Sequence, residues 1–198
     1  MTGNKHRRDH SESYADGDEL DEPDCSIVNT ALVQRLGEAY YGEDAGRIGF
    51  LNLVAGSGAL MPEGMVLTHE FHRRFLDTGG LAQAIRDSVG VRGDIRRRVR
   101  TLRRKYGRLP LEGELNRMIC DAIIGLGART VVVISEDVTR SGLRTIPEAR
   151  EAVRKAWLSV GGLKRQIEAA ERGEKIPTWP VLIQREVHYE PRSGSSRG

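Results

Sequence analysis

The chain has 198 residues, 38% apolar and 30% charged, with a formal net charge of +3 and ten aromatic residues. That suits one domain with a modest core. No apolar run approaches the roughly 18 to 20 residues that cross a bilayer. The basic residues near the start have no apolar segment behind them, so they do not read as a secretory signal, and a cytoplasmic location is expected. Cys25 and Cys120 are far apart and match no metal spacing, which predicts free thiols rather than a disulfide.

Charge divides the chain. Residues 1–24 carry three bases and eight acids, a net of −5, so residues 25–198 carry +8. The segment 92–108 has nine bases and one acid, again +8, and therefore accounts for the net charge of the whole body. Residues 1–24 and 191–198 are polar and predicted to be disordered tails. Residues 25–190 are predicted to form a single α+β domain, mostly helical with a small sheet of three or four strands.

In chain order, Ile27, Val28, Ala31, Leu32, Leu36 and Ala39 recur at helical spacing and predict a first helix that ends at Gly42. Arg47–Ala55 reads as a strand stopped by Gly56-Ser57-Gly58. Within it, Phe50–Leu60 (FLNLVAGSGAL) resembles the first glycine-rich loop of S-adenosylmethionine-dependent methyltransferases, where a strand ends close to the cofactor. Asn52 stands where that loop usually has Asp, and Met61-Pro62-Glu63-Gly64 follows in place of a helix. The segment is read as a strand leading into a turn, and no cofactor is expected.

Met65–Leu67 is predicted to be extended. Thr68 is a candidate cap for a short helix, and Gly79-Gly80 separates that helix from the next, LAQAIRDSV. His69 and His72, three apart, can share a helix face, but no cysteine pair or longer histidine motif accompanies them. They are read as surface residues at a helix start.

The basic segment predicts an amphipathic helix, roughly 92–106. Val91, Ile95, Val99, Leu102 and Tyr106 form its packing stripe, and Gly107 suits its end. Pro110, Glu112 and Glu114 then favour the start of another helix, with Leu111, Leu115, Met118, Ile119, Ala122 and Leu126 inward. The pattern Gly107, Arg108, Pro110, Glu114, Leu115 resembles a turn in helix-turn-helix elements of sigma factors and related regulators. The resemblance implies a helix-turn-helix-like pair over 92–126, with the strand that follows and a short return strand near Leu143–Ile146 as a wing. The second helix offers only Asn116, Arg117 and Asp121, while the first is rich in arginine. That favours backbone contact over reading of base edges.

Thr130–Ser135 is an unbroken apolar run, predicted to be a strand buried on both faces. Glu136–Gly142 reads as a polar loop. Two adjacent carboxylates, Glu136 and Asp137, stand at the carboxyl end of that strand, where a divalent metal is conceivable. Thr145, Pro147 and Glu148 form a capping-box pattern for a helix to about Val160. A break at Gly161-Gly162 precedes a further helix, and Val181–Tyr189 is the last strand. Trp157, Trp179 and Tyr189 are expected to pack, as are Tyr40 and Tyr41.

The first functional expectation is nucleic-acid binding, DNA before RNA, in a regulatory or accessory role. Arg92, Arg96, Arg97, Arg100, Arg103, Arg104, Lys105 and Arg108 would contact phosphates. The alternatives are an assembly subunit that forms homo-oligomers or packages nucleic acid, and a metal-dependent enzyme that uses Glu136 and Asp137.

Overall fold

The computed structural model describes residues 32–39, 46–91, 93–108, 111 and 113–187. Residues 1–31 and 188–198, both expected tails included, lie outside the described residues, as do Tyr40, Tyr41, Arg92, Pro110 and Glu112. Within the described residues the fold is α+β, with seven α-helices and one five-stranded antiparallel sheet.

The strands are β1 (Val33–Arg35), β2 (Gly64–Leu67), β3 (Val131–Ile134), β4 (Thr139–Leu143) and β5 (Val181–Arg185), in the spatial order β1-β2-β5-β3-β4. The last strand in sequence is therefore the middle one. Val181–Gln184 are all buried, as burial on both faces requires. Side chains alternate cleanly between faces. Val33, Met65, Leu67, Val131, Val133, Val181 and Ile183 join one core cluster, and Val66, Ile134 and Leu182 join another.

The first face is covered by α5 (Gly113–Gly125) and α6 (Ile146–Trp157), with Phe71, Trp157 and Trp179 supplying bulk. The second face is covered by α1 (Gly46–Gly56). A third cluster joins α2 (His69–Asp77), α3 (Leu81–Asp87), α4 (Ile95–Tyr106) and α7 (Val160–Glu171) beside the sheet. Phe75 packs against both this cluster and the first face.

Local signals hold where a side chain meets its own backbone. Thr68 caps α2 by accepting the Phe71 N–H, and Asp94 caps α4 by accepting the Arg96 N–H. Thr145 and Glu148 form the reciprocal capping box of α6.

Four expectations are corrected. Residues 33–35 form a strand, because pairing with β2 and burial of Val33 override a helical spacing. Residues 46–56 form a helix, so the glycine-rich-loop resemblance loses its strand. Ile48, Leu51, Asn52 and Ala55 recur at helical spacing, and the polar Asn52 on that inward row hid the pattern. Its Oδ1 accepts the N–H groups of Gly37 (2.7 Å) and Ala39 (3.3 Å), and its Nδ2 donates to the Ala39 carbonyl (2.6 Å). This one side chain satisfies the turn that follows β1.

Residues 139–143 form an edge strand that takes up most of the expected polar loop and precedes the return strand expected near Leu143–Ile146. They pair with β3, an inner strand of the sheet, so the hairpin belongs to the sheet and is not a separate wing. The break between α6 and α7 falls at Leu158-Ser159, with Ser159 as cap, and Gly161 and Gly162 are helical. A Cβ on Gly162 would stand 2.3 Å from the Trp179 ring, so the glycine permits close approach rather than a break.

Replacing Asn52 with Ala leaves two N–H groups and a carbonyl of the turn unpartnered. Stability should fall by about 2–4 kcal/mol, given about 1–3 kcal/mol for each unsatisfied buried group. Urea unfolding followed by circular dichroism measures it; a loss below about 0.5 kcal/mol would show that the clamp contributes little.

Candidate nucleic-acid interface

Helix α4 forms because an Asp cap starts it and because its apolar residues return every three or four positions. Val99, Leu102 and Tyr106 are buried and Ile95 is partly buried, all in the cluster shared with α3 and α7. The Tyr106 hydroxyl donates to the Gly80 carbonyl at 3.2 Å and ties the helix to the α2–α3 junction. Three bases in the last turn, Arg103, Arg104 and Lys105, match the negative end of the helix dipole.

Arg96, Arg97, Arg100, Arg103, Arg104 and Lys105 are all exposed, and so is Arg108 in the turn beyond the helix. Arg92 lies outside the described residues. Among the described residues, Arg96, Arg97, Arg100, Arg103 and Arg104 have no acidic partner within ion-pair distance. Arg96, Arg100 and Arg104 follow one another at four-residue spacing, and such like-charge pairs cost about 0.2–0.5 kcal/mol each. Lys105 lies 5.1 Å from the centre of the Tyr106 ring.

Arg98 behaves differently. Its side chain is only 13% exposed, pairs with Glu171 of α7 at 2.6 Å, and donates to the Ser88 carbonyl at 3.1 Å. Position 98 falls three after Ile95 and four before Leu102, on the packing side. It serves as a brace between α4, α3 and α7, and its charge is already matched.

Two depressions adjoin the cationic face. One is a hollow among Arg97, Arg100, Thr101 and Arg104. The other is a cleft of about 450 Å³ between α3 and α4, with Ala84, Val91 and Leu102 among its lining. The sequence predicts Val91 as the first residue of the packing stripe. It instead lies before the helix, 55% exposed, because Gly90 (φ 77°) and Gly93 (φ 150°) turn the chain around it.

The helix after the turn is separate from this surface. Helix α5 packs in the sheet cluster and α4 in the lateral one. On α5, Asn116 Oδ1 accepts from Arg150 at 2.8 Å, and Glu114 lies 3.5 Å from Arg74. The arginine face of α4 thus stands without the following helix.

The other candidates are engaged in the fold. Glu136 Oε1 accepts the Arg47 N–H at 2.7 Å, at the start of α1. Asp137 accepts two hydrogen bonds from Arg165 (3.1 and 2.9 Å) and one from Ser159 Oγ (2.8 Å), at the start of α7. Partial burial alone would raise the Asp137 pKa. The Arg165 and Ser159 hydrogen bonds, the Arg165 charge and the Gly162 N–H outweigh it and hold the group below the usual carboxylate range. The adjacent carboxylates therefore serve two helix ends and do not converge. Among the described residues, no group of three or more His, Cys, Asp or Glu is arranged to hold a metal.

His72 is fully buried rather than on the surface. Its Nδ1 accepts the Trp179 N–H at 3.0 Å, and its ring stacks on Trp157 at 5.3 Å and meets Trp179 edge-on at 4.5 Å. His69 is half-buried, with Nδ1 3.3 Å from Thr178 Oγ1. An amphipathic helix start with two His reads as polar, and nothing local signals the two tryptophans that close over the second ring. Trp157 and Trp179 pack as expected. Cys120 is a free, half-buried thiol, and Cys25 lies outside the described residues.

The chain matches no protein-family model and no curated protein by sequence. Among the described residues, no helix is long and apolar enough to cross a membrane.

Desolvation lowers the His72 pKa to about 3, against a smaller raising effect from the Trp179 hydrogen bond. The unfolded chain, with an ordinary value near 6.5, binds this proton first. The contribution of neutral His72 is therefore complete above about pH 6.5 and is lost as pH falls toward 3. In urea titrations between pH 7 and 4, a His72→Phe variant should show a shallower loss of stability than the parent. Equal slopes would show that the histidine does not carry this dependence.

Proposed function

We propose that the protein binds nucleic acid through phosphate contacts from α4. The observation that carries this reading is the row Arg96, Arg97, Arg100, Arg103 and Arg104: exposed, mutually repelling, and without acidic partners among the described residues. A polyanion relieves that repulsion and releases its own counterions. Lys105 and Arg108 extend the contact at one end, and Arg92 is assigned to the other from the sequence. The role is regulatory or accessory, met in the cytoplasm, with DNA the first target to examine. Helix α5 buries its apolar face in a different cluster from α4 and offers few side chains for base edges, so affinity should depend weakly on sequence.

Five phosphate contacts should cost about 500-fold in affinity between 50 and 200 mM salt on a duplex and about 100-fold on a single strand. In fluorescence anisotropy, changing Arg96, Arg100 and Arg104 together to Glu should abolish most binding and lower the salt slope by about 2 to 3. These side chains face water, so circular dichroism should show an unchanged fold. Salt-independent binding, or full binding by the variant, would overturn the reading.

A second reading, self-association, is favoured by α1. Phe50 (65% exposed) and Leu53 (71% exposed) leave an apolar row on its outer side. Sedimentation velocity at rising concentration should then show dimers that Phe50→Ser with Leu53→Ser removes. A monomer throughout would exclude it.

A further inference from the structure

The cleft between α3 and α4 opens beside the cationic row. Arg97 and Thr101 line both the cleft and the arginine hollow, so the two form one continuous surface. Their chemistry differs. The hollow is built from three arginines and a threonine, whereas the cleft has the apolar side chains of Ala84, Val91 and Leu102 in its lining. Its rim carries Arg97 and Lys105, and its own acid, Asp87, already accepts from Gln83 Nε2 at 2.7 Å. Arg98, also at the cleft, is occupied by Glu171 and Ser88 and adds a fixed planar wall rather than a free charge.

A backbone alone needs no apolar recess. A base in a duplex has both faces stacked and cannot enter one. A single strand can turn a base away from its backbone and bury it against apolar side chains and guanidinium planes. At about 450 Å³ the cleft lies within the range of small-molecule sites and has ample room for one base.

We propose that this cleft receives an unpaired base, and that the partner of α4 is single-stranded nucleic acid. The inference rests on the phosphate-contact reading: Arg97, Arg100 and Arg104 hold the backbone while Ala84, Val91 and Leu102 take the base that follows. Val91 is the residue on which this turns, since Gly90 and Gly93 hold an apolar side chain out in water at the mouth of a basic surface.

The test uses the full chain and four ligands matched in charge: a single-stranded 12-mer, the same strand with abasic sites throughout, a shorter duplex with the same number of phosphates, and polyglutamate. The base-bearing strand should bind about 5-fold more tightly than the abasic strand, from the apolar surface that one buried base removes from water. Both should keep the same salt slope. The Val91→Asn variant, which alters no charge, should bring the base-bearing strand down to the abasic affinity. Equal binding of the two strands with the salt slope intact would overturn the base site and leave the phosphate reading standing. Tighter binding of the duplex, or equal competition by polyglutamate, would also overturn it. No binding of any ligand would remove both readings together.

Discussion

The arrangement depends on how α7 is anchored to the end of β3. Asp137 reaches the first turn of α7 and is held there by Ser159 and a two-pronged contact from Arg165. A carboxylate at a helix N-terminus also meets the positive end of its dipole. Gly162 lets the same turn press against the Trp179 ring, and Arg165 lies 5.2 Å from the centre of that ring. Helix α7 is thereby fixed relative to the sheet. It then carries α3 and α4, through Leu163 and Ile167 in the lateral cluster and through the Glu171–Arg98 pair. Glu136, the preceding residue, serves α1 on the other face. The two adjacent acids lie in the bend between β3 and β4 and reach α1 and α7 respectively, so one turn positions both layers.

This anchoring lets α4 spend its charge outward. Its burial comes from one narrow stripe, and one arginine, Arg98, is used to brace it. The remaining cations repel one another, a cost that packing of Val99, Leu102 and Tyr106 must offset. A helix whose only purpose was to cover the core would be more stable with glutamates interleaved. The cleft beside it adds an apolar element to an otherwise ionic surface.

Much of this was legible in the residues. The basic helix, its inward stripe and the caps at Thr68, Thr145 and Glu148 depend on contacts within a few residues, and local spacing reports such contacts. The strand at 131–134 is legible too, since its apolar run requires burial on both faces. The exposed arginines named from the sequence face water, with Arg92 outside the described residues. At 33–35 and 46–56 local spacing predicts the opposite of the structure, a helix where a strand forms and a strand where a helix forms. Three residues become a strand only because β2 offers a pairing edge, and the helical row of α1 contains Asn52, whose partners lie 13 and 15 residues away. The burial of His72 has the same cause, since its partner Trp179 is 107 residues distant.

The sequence by itself determined the α+β class, the placement of net charge on one helix and the side of that helix that packs. These follow from composition and from periodicity within a few turns. The tertiary structure alone decided that Glu136 and Asp137 serve separate helices, that Arg98 is a brace, that α5 stands apart from the arginine face and that Val91 lines a cleft. Each of those depends on which distant segments meet. Such meetings are set by packing and by hydrogen bonds across the fold, which no local spacing encodes.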